Sequence, residues 1–460
     1  MLGRSRVGSA PFAVAKRLAF VLLHAFCFGG AFEISDAVAA PKLVLAHYMI
    51  CCPLYGHDET VDEFQAEIRE ARQSGIDGFA INIAGWAAGS YYQTVTRKMI
   101  TAASRMTGFK ILFSLDNLPA DQSLQIVTEF ASSPTILRVE GRVVISSFGG
   151  DRAWFDELTQ KLLTVGVETT IVPAMYYPTF DLATHRKDVN LDVAVADKVM
   201  DDIPGLGGYF YFGAANDPEV LSDNIRAIVN TAHSRGKIAM VGVSPFYKGF
   251  GKNSRVFETH GFEGMGAEWE AAISSDADWV ELITWNDWGE GTYLAAIGAS
   301  STAIWSGHWG NLLDHSGYRA ASAYFADWFK AKTRPPIDYC RVFYFYQVHP
   351  SYALGIVDPF SRPPVFGRPK NWNKLDGMIH LTGICPKPAR VDVTVGGEVE
   401  TVYLDSGVSS RRARAGFGKV ALSVQIGNHS TYKELELGID LDGARGNHNY
   451  FSGVLEVEQR

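Results

Sequence analysis

Apolar and polar positions fall into two rhythms along this chain. Up to about residue 330, short β-branched runs alternate with stretches whose apolar residues recur three and four apart, a strand-then-helix pattern. The spacing predicts strands over Leu43–His47, Gly78–Ile83, Lys110–Leu115, Val143–Ser147, Thr170–Ala174, Gly208–Phe212, Lys237–Val243 and Trp279–Thr284. Helices are expected over Asp62–Ser74, Tyr91–Met106, Leu124–Ala131, Trp154–Val165, Pro218–Ser234, Ala267–Ser274 and Gly317–Lys330. Such a series over about 290 residues predicts an α/β fold, a (β/α)8 TIM barrel. A doubly wound open sheet is the competitor. It usually carries a glycine-rich phosphate loop after its first strand, whereas His47-Tyr48-Met49 stands here.

The rhythm changes after Lys330. Ala331-Lys332-Thr333-Arg334-Pro335-Pro336 reads as a linker, because consecutive prolines stop a helix and stiffen the chain. Beyond it, alternating runs predict strands over Val342–Val348, Met378–Thr382, Arg390–Val395, Glu398–Leu404, Lys419–Ile426, Leu435–Leu441 and Gly453–Val457. Frequent glycine turns and the lack of a helical pattern point to a C-terminal β-sandwich. The expected division is a leader over 1–39, a barrel over 40–332 and a β-domain over 338–460. The β-domain can bind glycan or buttress the barrel, and without an evident aromatic platform buttressing is favoured.

The leader is an export signal by pattern. Arg4, Arg6, Lys16 and Arg17 precede the apolar run Leu18–Phe32, and Ala37-Val38-Ala39 follows as a small-residue cleavage site. No later run is apolar and long enough to span a bilayer, so a secreted, extracellular or periplasmic protein is expected, with no membrane partner after cleavage. The net charge of −8, with no long basic run, argues against a nucleic-acid partner. In an oxidising compartment Cys340 and Cys385 can pair. Adjacent Cys51 and Cys52 are either buried thiols or a vicinal bridge. No metal-ligand spacing is visible.

The candidate chemistry lies in Trp285-Asn286-Asp287-Trp288-Gly289-Glu290-Gly291-Thr292-Tyr293-Leu294, just past the eighth strand. Two carboxylates among aromatic rings suit glycoside hydrolysis, in which one acid protonates the leaving oxygen and the other activates water. Trp285, Trp288 and Tyr293 could stack on pyranose rings or belong to the core. Barrel active sites form at the C-terminal ends of the strands, which here carry His47, Asn82, Asp116, Tyr176 and Tyr177. His47 can equally be a satisfied core histidine, Asn82 a tie between strands and Asp116 a cap.

The decapeptide resembles the motif of glycoside hydrolase family 71, the α-1,3-glucanases or mutanases. Ala46-His47-Tyr48-Met49, Gly75-Ile76-Asp77-Gly78-Phe79-Ala80-Ile81-Asn82, Phe109–Asp116, Val144–Phe148, Val172-Pro173-Ala174, His315-Ser316-Gly317-Tyr318 and Phe345–Pro350 resemble family segments in the same order. The resemblance spans residues 42–350. It implies a (β/α)8 barrel that hydrolyses the polysaccharide α-1,3-glucan with inversion, without cofactor or metal, and Asp287 and Glu290 as the catalytic pair. Likeness to α-mannoside-acting families with a Trp-Asn-Glu-aromatic-x-Glu-Gly loop makes Glu290 the acid and Asp287 the base. Two departures stand beside the presumed cleft. Ala84-Gly85-Trp86-Ala87 replaces a stretch that tends to carry an aspartate, which marks Trp86 as a substrate contact, and Cys51-Cys52-Pro53 replaces a more polar loop. A monomer is expected. The rival readings are an endo-acting α-mannosidase-like hydrolase and a non-catalytic glycan-binding protein on the same fold.

Overall fold

The computed structural model describes residues 41–175, 189–309, 312–440 and 446–457. The expected leader, its cleavage site, Tyr176 and Tyr177 lie outside the described residues. The first sheet contains β1 (Leu43–Met49), β2 (Gly78–Ile83), β3 (Lys110–Asp116), β4 (Arg138–Val139), β5 (Arg142–Phe148), β6 (Thr169–Ile171), β7 (Gly208–Tyr211), β8 (Ile238–Val243) and β9 (Trp279–Leu282). Its order is β4-β5-β3-β2-β1-β9-β8-β7, with β6 beside β5, and all pairings are parallel except the short β4–β5 ribbon. The two ends of this curled sheet approach each other. The N–H groups of Gly207 and Phe210 donate to the carbonyls of Ile171 and Pro173, at 2.9 and 3.0 Å.

The strands' period of two sorts their residues onto two faces. Val44, Ala46, Tyr48, Phe79, Ile81, Ile111, Phe113, Val280 and Leu282 pack outward against the helices. Leu45, Ala80, Leu112, Val144, Phe210, Met240 and Trp279 fill the concave face. Two residues further along β1, β2, β3, β5 and β9, that face turns polar: His47, Asn82, Ser114, Ser146 and Glu281 are buried there. An apolar floor and a polar layer above it thus follow from alternation alone.

The helices are α1 (Val61–Gln73), α2 (Tyr91–Ser104), α3 (Ala120–Phe130), α4 (Arg152–Thr164), α5 (Val189–Asp202), α6 (Pro218–His233), α7 (Phe262–Ser274), α8 (Ala299–Trp309) and α9 (Ser316–Ala331). α5 and α8 were not legible in the pattern. Valine and leucine alternate with polar residues at the start of α5, a strand-like period, and α8 is rich in serine and alanine. The start of α1 is a capping box, in which Glu63 N–H donates to Thr60 Oγ1 at 3.3 Å and Thr60 N–H to Glu63 Oε2 at 2.7 Å. No described helix is long and apolar enough to cross a membrane.

The C-terminal strands are β10 (Cys340–Tyr346), β11 (Gly355–Asp358), β12 (Val365–Gly367), β13 (Ile379–Cys385), β14 (Ala389–Val395), β15 (Glu398–Leu404), β16 (Gly407–Ala413), β17 (Val420–Ile426), β18 (His429–Glu434) and β19 (Phe451–Val457). They form antiparallel sheets of order β16-β13-β10-β19 and β15-β14-β17-β18, plus the β11–β12 ribbon. Of the expected strand Leu435–Leu441, Leu441 lies outside the described residues and Leu435–Asp440 does not form the strand its alternation suggests. Gly427, at φ 57°, and Asn428 close a two-residue hairpin that puts His429–Glu434 against β17 instead. Val342, Tyr344 and Leu381 from one sheet share an apolar cluster with Val391, Val393, Leu422 and Val424 from the other. Cys340 and Cys385 are bridged between β10 and β13, and Cys51 is bridged to Cys52.

The opposite face of the β10 sheet packs on the first sheet's helices. Tyr318 of α9 and Phe345 of β10 meet at 4.5 Å between ring centroids. α9 comes so close to β19 that a Cβ on Gly317 would sit 2.8 Å from Gly453 N. A side chain there would force the two backbones apart.

Candidate active site

The loop after β9 is closed on itself before it carries any chemistry. Thr284 N–H donates to Thr292 O at 2.9 Å, and their buried hydroxyls meet at 3.0 Å. Trp285 N–H donates to His47 O at 2.7 Å, which carries the β1–β9 pairing on past the last β9 residue. Asn286, fully buried, clamps the loop to the end of β1. It accepts from Met49 N–H at 2.7 Å and donates to the Met49 and Cys52 carbonyls at 3.0 and 2.8 Å. Trp288 Nε1 adds a bond to Cys52 O at 2.9 Å.

Between these anchors the two acids project from a fixed turn. Asp287 N–H donates to Thr284 Oγ1 at 2.8 Å, and Glu290 N–H donates to Asp287 Oδ1 at 3.0 Å. Both acids are half-buried. Burial of its carboxyl raises the pKa of Asp287, against the opposing pull of the Glu290 N–H, the His47 charge and the Gly289 N–H. Glu290 Oε1 accepts from Tyr247 O–H at 2.8 Å, and Tyr247 in turn accepts from Asn253 Nδ2 at 2.7 Å.

His47, Asn82 and Asp116 converge below this turn. His47 Nδ1 meets Glu281 Oε1 at 2.5 Å, with both side chains buried. The Glu281 pKa is raised by burial and held down by His47. Asp116 is also raised by burial, and Asn82, His47 and Asn117 oppose the shift. His47 therefore acts on both Asp116 and Asp287, and the polar layer of the concave face is continuous with the carboxylate turn.

The glycosyl hydrolase family 71 model matches residues 40–459. The chain belongs to that family. It is accordingly a glycoside hydrolase. It is 25% identical over 382 residues to the glucan endo-1,3-alpha-glucosidase agn1 of Schizosaccharomyces pombe, covering 79% of this chain and 82% of that protein. It is 22% identical over 394 residues to the mutanase Pc12g07500 of Penicillium rubens, covering 83% of this chain and 82% of that protein. Among solved structures, the GH99 endo-alpha-mannosidase of Bacteroides thetaiotaomicron matches with a TM-score of 0.46 at 14% identity, covering 63% of this chain and 97% of that one.

In this family 71 chain the aromatic residues of the decapeptide line its inner side. Trp285 is fully buried, donates through Nε1 to Glu67 Oε2 of α1 at 2.7 Å and packs on Phe79 at 5.3 Å. Tyr293 is fully buried, stacks on His315 at 4.2 Å and donates to Leu313 O at 2.6 Å. Trp288, 3% exposed, lies against Tyr293 at 5.1 Å. Trp86 is buried beside Phe130, at 6.2 Å, with the Arg97 guanidinium 5.8 Å from its ring. None of the four offers an open face. Trp285, Trp288 and Tyr293 fix the backbone that carries the acids.

Three residues of the site escape sequence reading: Tyr247, Glu281 and Asn286. Glu281 had a usable signal, since an acid inside the apolar run Trp279-Val280-Glu281-Leu282 stands on the same strand face as Trp279. Tyr247 had none, because it reaches Glu290 across 43 residues of sequence. Tyr247→Phe removes a donor to a carboxylate, a bond of about 1.5–3 kcal/mol. The expected result is a fall in kcat/KM of on the order of tenfold, with the pH limb governed by Glu290 moved upward. A pH–rate profile identical to that of the parent would show that the bond is idle in catalysis.

Proposed function

We propose that this protein is an exported endo-type α-1,3-glucanase that uses Asp287 and Glu290 as its catalytic carboxyl pair. The match to the family model over 40–459, with both acids present on one anchored turn, carries the reading. The sequence relatives named for α-1,3-glucan cleavage support the substrate class. The proposed architecture is a closed (β/α)8 barrel over 40–332 with a β-sandwich over 338–460 packed on it. The backbone bonds from Gly207 and Phe210 to the β6 side support closure, and the apolar cluster shared by the two antiparallel sheets supports the sandwich.

In the proposed mechanism Glu290 protonates the glycosidic oxygen and Asp287 activates water for inversion. Burial raises the Asp287 pKa, and the Glu290 N–H, the His47 charge and the Gly289 N–H oppose that shift toward the ionised form a base requires. Tyr247 donates to Glu290 Oε1 at 2.8 Å and so fixes the direction of the carboxyl group. Inversion needs room for water, roughly 6.5–9.5 Å between carboxyl groups. His47, Asn82 and Asp116 form the floor on which the sugar at the cleavage point would rest.

The test is reducing-sugar release from insoluble α-1,3-glucan, with α-mannan and α-1,4-glucan alongside and the product anomer read by NMR at early times. Release from α-1,3-glucan alone with an inverted anomer is expected. Release from α-mannan instead would replace the substrate assignment, and a retained anomer would overturn the inverting roles. Binding without release from any of the three would favour a glycan-binding protein.

A further inference from the structure

Away from the carboxylate turn, four side chains with metal-binding chemistry meet at the seam between the first sheet's loops and the C-terminal strands. Glu258 and His260 lie in the loop before α7, Asp376 lies just ahead of β13, and His380 lies on β13. One ligand atom from each can be chosen so that all four lie within 4.8 Å of one another. His260 Nδ1 stands 3.2 Å from Asp376 Oδ2 and 3.6 Å from Glu258 Oε1, and His380 Nε2 stands 3.1 Å from Asp376 Oδ1. A tetrahedral zinc site with bonds of about 2.0–2.1 Å has ligand–ligand edges of about 3.3–3.4 Å.

We propose that Glu258, His260, Asp376 and His380 bind a divalent transition-metal ion, zinc foremost, as a structural clasp between the two parts of the chain. Two imidazoles with two carboxylates suit zinc and its first-row neighbours, whereas calcium and magnesium prefer all-oxygen shells. The carboxylates are held from behind, as ligands of a built site are. Glu258 accepts from Tyr450 O–H at 2.5 Å, from His260 N–H at 2.7 Å and from Asp376 N–H at 2.9 Å. Asp376 accepts from Met378 N–H at 3.0 Å.

A second observation comes from His380. Its side chain is 2% exposed, and Nε2, the ring nitrogen that faces Asp376 at 3.1 Å, is the atom the ion would meet, with burial fixing the ring in place. His260 and Asp376, at 34% and 24% exposure, form the rim through which an ion would enter. Arg412 reaches the same rim, 3.3 Å from Asp376 and 3.5 Å from Glu263. The rival reading is a metal-free ion-pair latch closed by this arginine.

The clasp would reach the catalytic loop through one short stretch. Tyr450 bonds Glu258, and its neighbour Asn449 bonds both His315 and the Tyr293 hydroxyl. Holding β13 to the loop before α7 would therefore steady the wall behind the carboxylate turn, without contact with substrate. This inference stands independently of the glucanase reading, because its readouts are metal content and stability.

The full chain, stripped with chelator and dialysed, is titrated with zinc alone and with cobalt alone. Metal is counted by mass spectrometry and stability is read by thermal unfolding. Expected are one ion per chain, a higher Tm with zinc, and the visible bands of tetrahedral cobalt. His260→Gln and Asp376→Asn, both at the rim, should each weaken binding by on the order of tenfold or more, while His429→Gln on β18 should leave it unchanged. Zinc bound equally well by the rim variants, or a Tm indifferent to zinc in the parent, would establish the arginine latch and overturn the metal site.

Discussion

Glu290→Gln and Asp287→Asn are each expected to lower turnover by about a hundredfold or more, the loss that follows removal of a general acid or base. Both substitutions keep the side chain's size and its capacity to accept a hydrogen bond. The Glu290 N–H can still meet an oxygen at position 287, and Tyr247 one at position 290. The fold should therefore survive, so circular dichroism and Tm are the controls. An activated substrate with a good leaving group separates the roles. It should restore cleavage in the acid variant and leave the base variant inactive. Near-parental turnover in either variant removes that residue from the mechanism. Rescue in Asp287→Asn rather than Glu290→Gln would exchange the two roles.

His47→Ala is expected to cost both stability and activity, because it leaves Glu281 buried without its partner. Removing one member of a buried ion pair costs about 3–5 kcal/mol when the survivor stays charged. Glu281 can escape part of that cost by taking up a proton, since burial already raises its pKa. A carboxyl with a raised folded pKa binds protons more tightly folded than unfolded, so stability falls as pH rises from its unfolded pKa through its folded one. The variant's deficit should therefore be small near pH 4, at the usual glutamate range, and larger at neutral pH. Urea unfolding at both pH values measures it. Loss of the His47 charge also raises the Asp287 pKa further. The acid limb of kcat should thus move to higher pH if Asp287 is the base. A deficit independent of pH would place the cost in lost packing against Phe212, which meets the His47 ring at 5.2 Å.

What was legible in the sequence follows local periodicity. β2 and β15 have the expected bounds, and the remaining parallel strands begin within a residue or so of theirs. The same local pattern sets where strands end, so it also put His47 and Asn82 near the C-terminal ends of their strands. The carboxyl pair was visible because its two acids are three residues apart in one loop. α5 was lost where alternating valines mimic a strand, and β16 where an edge strand, Gly407–Ala413, carries almost no apolar residues. β18 was lost because a glycine–asparagine turn, rather than hydrophobic alternation, sets where its strand begins.

The sequence by itself determined most of the strand–helix order and the placing of Asp287 and Glu290 together on one loop, because each depends on neighbours a few residues apart. Only the tertiary structure decided what the aromatic residues do. An indole beside two acids can face a sugar or the core, and α1 decides the matter for Trp285 by bringing Glu67 to its Nε1 across 218 residues. The same holds for Tyr247 at Glu290, for Glu281 at His47, and for Glu258 and His260 beside Asp376 and His380. These groups share no spacing. They meet because burial of two apolar sheet faces brings their loops together, and chain distance carries no record of that.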